Sequence, residues 1–318
     1  MPVGPIRTLA PLGVTACVLA IGAAACRPTE AVAPGRRHIR IATAFAPLSE
    51  PLTAEYRQRL PDVDVQALPV GDVITAIEAG TVDVGIAFAD DAYFAYERGW
   101  SQGLHASTSR LRGIALLLPL PQYVLVRGNA GFASIADLRG KRVGVGPVNS
   151  PVARIALQVL DAFEIHAHVV HIQTRAEGAT DLKNGAIDAA FFPGYVYPDK
   201  VTDDAIRSGA RLVPIAGPAV ERLRRDHPFI RVVAIPRGIY PGQDRIVPTV
   251  GVDMVVLCER DLDAALVYDL TARLFDVFPR LVGVEATVRY LNPDEAPATP
   301  IPLHLGAARY FRERELSR

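Results

Sequence analysis

Two segments of this 318-residue chain share a short pattern that constrains the fold more than any other feature. Residues 76–88 read AIEAGTVDVGIAF, and residues 181–192 read DLKNGAIDAAFF. In each, the pattern predicts a helix that ends at a glycine, followed by a strand that is entered through an aspartate. One copy alone is a common helix-to-strand junction. Two matched copies predict two similarly built halves, although so short a repeat is also compatible with chance similarity.

Short apolar stretches alternate with amphipathic ones along the chain, which predicts an α/β protein. Strands are predicted at 39–44, 82–87, 114–118, 123–127, 142–145, 186–192, 232–235 and 249–258. Helices are predicted at 51–60, 73–79, 151–163, 219–226 and 262–278. The acidic and aromatic residues after 82–87 and after 186–192 are expected to lie in loops that face a ligand, because ligands of open α/β sheets bind outside the carboxyl ends of strands.

The amino terminus predicts export. Arg7 precedes an apolar stretch at 9–25, and small residues at 23–25 precede Cys26, which is the layout of a signal segment over 1–26. The small residues before Cys26 also resemble a lipobox, so lipidation at Cys26 and ordinary cleavage near Ala25 both stay open. Residues 27–35 are rich in Pro and Ala and are predicted to be a linker. A lipid anchor is then the only predicted contact with the membrane.

Composition and motifs exclude several classes of protein. Half of the residues are hydrophobic and 34 basic residues balance 34 acidic ones, so a large core is expected and a nucleic-acid partner is not. Familiar catalytic motifs are missing, which favours a protein that is not an enzyme. His166 and His168 would share one face of a strand while His171 would not, too few ligands for zinc. We predict no metal and no cofactor.

The start of the helix at 151–163 is the best candidate anion site. Asn149 and Ser150 are strong capping residues, and Pro151 suits the first helical position. The unpaired N–H groups of such a start can hold a carboxylate, although plain capping without a ligand is the simpler alternative. Gly71 and Asp72 precede the helix at 73–79 in the same way, but Asp72 brings its own negative charge to that cap.

Several longer segments resemble the TAXI family, the solute receptors of tripartite TRAP transporters. They are LRGIALLLPLPQYVLVR from Leu111, DLRGKRVGVGPVNS from Asp137, YPGQD from Tyr240 and IPLHLGAARYF from Ile301, together with DVGIAFADDAYFAYERG from Asp83 and DLKNGAIDAAFFPG from Asp181. The resemblance runs from about Ile39 to Phe311. It implies a type II periplasmic binding-protein fold, in which two α/β lobes, each a mixed sheet flanked by helices, close on a ligand in the cleft between them.

The resemblance also implies a function. Similar receptors serve glutamate, related amino acids or small dicarboxylates and deliver them to a TRAP permease driven by an ion gradient. Three loops depart from the family pattern: the first around Thr43 and Ser49, the second at Asp72, and the third at Ser150. These departures put the usual ligand in doubt, because Asp72 could repel a carboxylate or pair with the cationic group of an amino acid.

We therefore predict a monomeric, exported receptor in the periplasm or on the outer face of the cytoplasmic membrane. Lobe I is predicted to comprise 36–121 plus 256–318, and lobe II 122–255. The ligand-binding residues are predicted to be Thr43, Ser49, Gly71, Asp72, Asp90, Tyr93, Asn149, Ser150, Phe192, Gly194, Tyr195 and Tyr240. The alternatives are the binding lipoprotein of an ABC importer, a ligand sensor for a membrane signalling partner, or an enzyme on the same fold.

Overall fold

The computed structural model of the protein describes residues 37–43, 46–101, 109–194, 198–283 and 291–317. The predicted signal segment with Cys26, the linker at 27–35 and Tyr195 lie outside the described residues, and so does the side chain of Ser49. Within the described residues, no helix is both long enough and apolar enough to cross a membrane.

Strands and helices alternate along the described chain. The strands are β1 Arg37–Thr43, β2 Val63–Ala67, β3 Val84–Phe88, β4 Leu111–Arg127, β5 Arg142–Val145, β6 His168–His171, β7 Ala189–Pro193, β8 Ala210–Val213, β9 Ile230–Ile235 and β10 Val247–Glu259. The helices are α1 Ala46–Arg59, α2 Val73–Glu78, α3 Ala89–Ser101, α4 Pro151–Ala162, α5 Arg175–Asn184, α6 Lys200–Arg207, α7 Pro218–Asp226, α8 Ala264–Val277 and α9 Leu305–Leu316.

The strands form a mixed sheet in the order β2-β1-β3-β10-β4-β7-β5-β6, with β8 paired to β4 and β9 paired to β10. The pairs β1–β2, β1–β3, β5–β6 and β5–β7 are parallel. The pairs that involve β4 and β10 are antiparallel. The predicted α/β fold with a mixed sheet and flanking helices is therefore confirmed.

Two long strands, β4 and β10, run through both parts of the sheet. In β4, Leu111–Pro121 pairs with β10, whereas the stretch from Gln122 onward pairs with β7. In β10, the stretch up to Val252 pairs with β9, and the stretch from Met254 pairs with β3. These changes of partner fall near Gln122 and Met254, where the sequence predicted that the chain crosses between lobes. The lobe boundaries themselves stay a prediction.

The sequence predicted two strands, 114–118 and 123–127, where the structure has the single strand β4. Pro119 and Pro121 lie between the two predicted strands, and proline cannot donate to a sheet ladder. The pairing of β10 with β4 instead shifts register between Asp253 and Val255, next to Pro119. The strand therefore continues through both prolines, with Pro119 beside the irregularity and Pro121 in register with Gly251.

The stretch after β3 was predicted to be an aromatic loop, and it is the helix α3. Its first turn carries Asp90 and Asp91, whose charge suits the positive end of a helix. Ala89 and Ala92 are buried on one side of this helix, which gives it a packing face. Asp90 and Tyr93 are therefore held by a helix, in a more rigid setting than the predicted loop.

Helices cover both faces of the sheet. Alternate residues of β1, β3 and β10 belong to two different core clusters, one shared with α2 and α3 and the other with α1, α8 and α9. Cys258 is fully buried in the second of these clusters. In β7, Phe191 belongs to the cluster shared with α4 and α7, and Phe192 to the cluster shared with α5 and α6.

The repeated segments form two matched junctions. Gly80 and Gly185 follow α2 and α5 with φ angles of 68° and 76°, the left-handed conformation that glycine adopts without strain. After each glycine comes an aspartate that accepts a backbone N–H and two side-chain hydrogen bonds from an arginine of the neighbouring strand. The donor is Arg40 for Asp83, at 2.6–2.9 Å. It is Arg142 for Asp188, at 3.0–3.1 Å.

Candidate functional site

A cavity of about 660 Å³ lies where α2 begins, β3 ends and α3 runs past the start of α4. Residues 71–75, the last two residues of β3, three side chains of α3 and Arg154 of α4 line it. The charged lining residues are Asp72, Asp91, Arg98 and Arg154, two acids and two bases. The cavity is therefore polar and lined by charges of both signs, and Phe88 and Phe94 are its aromatic lining residues.

Asp72 caps the helix at one wall of this cavity. Its backbone is extended, with φ −138° and ψ 110°, and its carboxylate accepts from the Thr75 N–H at 3.1 Å. The Thr75 hydroxyl donates to the second carboxylate oxygen at 2.9 Å. Asp72 therefore fills this cap with its own charge, as the sequence predicted, while its side chain stays exposed.

Asp90 and Asp91 stand side by side at the start of α3 in different surroundings. The Asp90 side chain is 1% exposed, and its Oδ1 has no hydrogen-bond partner among the described residues. The Asp91 side chain is 37% exposed and lines the cavity. Burial, reinforced by the neighbouring Asp90 carboxylate, raises the pKa of Asp91.

Arg154 connects α4 to both carboxylates. Its Nε donates to Asp90 Oδ2 at 3.1 Å, and its Nη2 donates to the same oxygen and to Asp91 Oδ1 at 2.6 Å. The guanidinium carbon lies 5.3 Å from the centre of the Phe94 ring, within the range of a cation–π contact. Burial alone would lower the pKa of Arg154, but the two carboxylates raise it, so the group stays charged.

The Phe94 ring is supported by other aromatic residues. Tyr93 lies 5.7 Å and Phe229 lies 5.2 Å from it, measured between ring centres. Tyr93 and Phe229 are 5.3 Å apart. Such edge-to-face and tilted contacts fix the orientation of the rings, so the platform under Arg154 is firmly held.

A protein-family model described as the NMT1-like family matches residues 66–314, well over half of the chain. The chain belongs to the NMT1-like family. Among solved structures, it is similar to a TctC solute-binding protein from Polaromonas, at 15% identity and a TM-score of 0.52, over 89% of this chain and 97% of that one. It is also similar to XAC2383 from Xanthomonas citri bound to ATP, at 12% identity and a TM-score of 0.51, over 87% and 94%.

A third similar structure is the periplasmic sulfonate-binding protein SsuA from Methylobacillus flagellatus KT, at 16% identity and a TM-score of 0.50, over 84% of this chain and 76% of that one. At these identities the likeness shows the fold, and it confirms the predicted type II periplasmic binding-protein class. Two of these similar structures are solute-binding proteins by name, in keeping with the prediction that the chain is not an enzyme. The narrower TAXI and TRAP assignment is not confirmed.

Among the predicted ligand-binding residues of this NMT1-like chain, Gly71 and Asp72 line the cavity. Asp90 and Tyr93 lie directly beside it, the first bonded to Arg154 and the second packed against Phe94. Thr43 ends β1 and is buried. A role for these residues in ligand binding stays a prediction.

Asn149 and Ser150 lie at the start of α4, as predicted. Asn149 has a φ angle of 61°, which its short polar side chain tolerates, and it is exposed. The Ser150 hydroxyl oxygen accepts from the Ala153 N–H at 3.2 Å, so it serves as a helix cap. Neither residue lines the cavity in the NMT1-like chain, and Arg154, one turn further on, reaches it instead.

The remaining predicted residues lie in or beside the core of the second part of the sheet. Phe192 is fully buried with its ring 5.8 Å from the Arg175 guanidinium carbon, so it packs in the core and not against the cavity. The Tyr240 hydroxyl donates to Asp199 at 3.0 Å, and this side chain is also buried. Gly194 is buried against the Tyr123 ring, where an added Cβ would come within 2.5 Å. Phe192 and Gly194 of the predicted aromatic loop therefore contribute packing, and so does Tyr240.

Arg154, which pairs with Asp91 at the centre of the site, was not predicted from the sequence, whereas Asp91 was expected in a loop that faces the ligand but not among the binding residues. A signal for Arg154 was present, since it is the one charged side chain in the first turn and a half of an otherwise apolar helix start. Its importance depends on partners 63 and 64 residues away, which local patterns do not indicate.

Proposed function

We propose that this chain is an extracytoplasmic solute-binding receptor that captures a small organic anion or an amino acid, resembling glutamate or a dicarboxylate. In this proposal it delivers the ligand to the membrane subunits of a TRAP-type transporter. It acts as a monomer, exported to the periplasm or to the outer face of the cytoplasmic membrane. Lipidation at Cys26 is the proposed means of anchoring it.

The cavity next to Arg154 is the observation that carries this proposal. Its volume of about 660 Å³ falls in the range of small-molecule sites. Its two basic and two acidic lining residues suit a polar, charged ligand of few atoms. Since β3, α2 and α3 precede Gln122 in the chain and Arg154 follows it, residues from both predicted lobes meet there.

Ligand-dependent stabilisation of the purified protein tests the proposal. We expect one or more of a panel of amino acids, keto acids and dicarboxylates to raise the Tm, because a ligand that binds only the folded state stabilises it in proportion to ln(1 + [L]/Kd). Mass spectrometry of compounds that co-purify with the protein would name a ligand independently. A flat Tm across the panel, with nothing co-purified, would contradict a receptor for small anions.

An ABC importer is the second candidate partner. The similarity to a periplasmic sulfonate-binding protein favours it, and the same observation adds sulfonates to the panel of ligands. Transport assays in membrane vesicles separate the two, since uptake through a TRAP permease follows an ion gradient and uptake through an ABC importer requires ATP. Membrane subunits or a histidine kinase encoded next to this chain would indicate a transporter or a sensor.

A further inference from the structure

Arg154, a basic residue of the cavity, is already bonded to carboxylates of its own chain. These two carboxylates are not equivalent. Asp90 is buried and receives two hydrogen bonds from the guanidinium, whereas Asp91 is partly exposed, receives one, and lines the cavity. Losing Arg154 would leave Asp90 as an unpaired buried charge, which is costly. Asp91 could exchange its bond to Arg154 for water at a lower cost than Asp90, because its side chain is 37% exposed and that of Asp90 is 1% exposed.

The guanidinium is held so that it can accept another partner. Asp90 fixes its Nε edge, and the Phe94 ring supports its face. The Nη1 group makes no hydrogen bond to any residue that the structure describes, and Nη2 is shared with the displaceable Asp91. Arginine binds planar oxyanions through two parallel N–H groups, and Nη1 with Nη2 offers such a pair on the side away from Asp90.

We infer that Asp91 occupies the place of the ligand's anionic group, and that a carboxylate or sulfonate of the ligand displaces Asp91 from Arg154 while Asp90 stays paired. This inference rests on the proposed function and deepens it, because it assigns the ligand an oxyanion and names the residue that competes with it. Asp91 then lowers the affinity for every anion, because each anion must displace it from Arg154. A neutral solute has no oxyanion with which to displace it.

Calorimetric titration of the purified protein with L-glutamate, succinate and ethanesulfonate tests the inference. Arg154→Gln is expected to lower the affinity for the bound anion at least about tenfold, the value of a charge-assisted hydrogen-bond pair. Asp91→Asn is expected to raise it about two- to fivefold, because it removes a partly exposed competing ion pair. Glu97→Gln is the matched control: it removes an equal negative charge from the same helix, but Glu97 neither lines the cavity nor bonds to Arg154. It should change the affinity less than about twofold.

The outcomes separate this inference from the receptor function. If wild type binds an anion but Asp91→Asn leaves the affinity unchanged or lowers it, the displacement is wrong and the receptor function stands. The same holds if Glu97→Gln gives an equal gain, if Arg98→Gln and not Arg154→Gln abolishes binding, or if only neutral or cationic solutes bind. If no solute binds wild type at all, both proposals fail. Thermal unfolding of each variant confirms that it is folded.

Discussion

The two helix-to-strand junctions share a backbone frame and differ in how their charges are arranged. In each, an arginine of the adjacent strand donates hydrogen bonds to the aspartate carboxylate. The same guanidinium also donates to the carbonyl oxygen of the preceding glycine, at 2.8 Å both from Arg40 to Gly80 and from Arg142 to Gly185. In each, a residue at the end of a long strand donates its N–H to the aspartate carbonyl oxygen. That residue is Glu259 beside Asp83 and Arg127 beside Asp188.

This one difference changes the chemistry of the junction. Arg127 forms a second ion pair with Asp188 at 2.7 Å, and together Arg142 and Arg127 lower the pKa of that carboxyl to about 2. Glu259 cannot do this for Asp83, and it pairs instead with Arg110 at 3.0 Å. The repeated sequence therefore preserves the backbone frame, whereas the residue at the end of the neighbouring long strand, β10 or β4, decides how strongly the aspartate is held.

Removing each aspartate charge should separate the junctions most clearly. We expect Asp188→Asn to lower the free energy of unfolding by about 2–4 kcal/mol, because it leaves two arginines without their shared carboxylate. Asp83→Asn should cost about 1–2 kcal/mol, since only Arg40 loses its partner. Urea unfolding followed by circular dichroism measures both values.

Both variants keep the size and shape of the side chain, so packing differences should not enter the comparison. The Asp188 and Asp83 side chains are also similarly buried, at 11% and 18% exposed. Equal losses of stability in the two variants would mean that the second arginine contributes nothing and that the junctions are energetically alike.

The fold could be predicted largely because its signals are local. The glycine and aspartate of each repeat indicated both junctions, and the alternation of apolar and amphipathic stretches indicated an α/β sheet. The arginine partners were missed, because Arg40 lies 43 residues before Asp83 and Arg142 lies 46 residues before Asp188. The break predicted in β4 was wrong because strand pairing tolerates Pro119 at an irregularity.

The candidate site could be predicted less well, since it depends on contacts between distant elements. Asp72 was identified because a helix cap is a local pattern. Arg154 was not, because its partners belong to α3, which was predicted to be a loop. Phe192 was expected near the ligand because it follows a strand, but it lies within β7, and the α5 and α6 side of the sheet buries it.

Acid unfolding tests the contribution of the Asp188 ion pairs in a second way. A carboxyl whose pKa is depressed on folding stabilises the folded state above its unfolded value of about 3.9 and loses that contribution as the pH falls through the folded value. For Asp188 that window runs from about pH 4 down to about pH 2. We expect wild type to lose stability across this window and Asp188→Asn to lose distinctly less, as measured by urea midpoints at successive pH values. If the two curves are parallel, the depressed pKa of Asp188 does not contribute to folding.

The smallest expected effect comes from Arg127→Gln, which would make the Asp188 junction resemble the Asp83 junction. We expect a loss of less than about 1 kcal/mol, because the Arg127 side chain is 34% exposed and Arg142 still holds the carboxylate. The pKa of Asp188 should rise, which would move its acid transition to higher pH. The matched control is Arg110→Gln, which removes an arginine that pairs with Glu259 and not with Asp83.

Double-mutant cycles measure directly whether Arg127 accounts for the difference between the two junctions. Asp188→Asn combined with Arg127→Gln should show a coupling energy of at least about 0.5 kcal/mol, since the two side chains contact each other. Asp83→Asn combined with Arg110→Gln should be additive within about 0.3 kcal/mol, because no direct bond joins that pair. Equal coupling energies in the two cycles would mean that Arg127 does not cause the difference between the junctions. Coupling in the second cycle alone would mean that Arg110 stabilises Asp83 and that Arg127 does not stabilise Asp188.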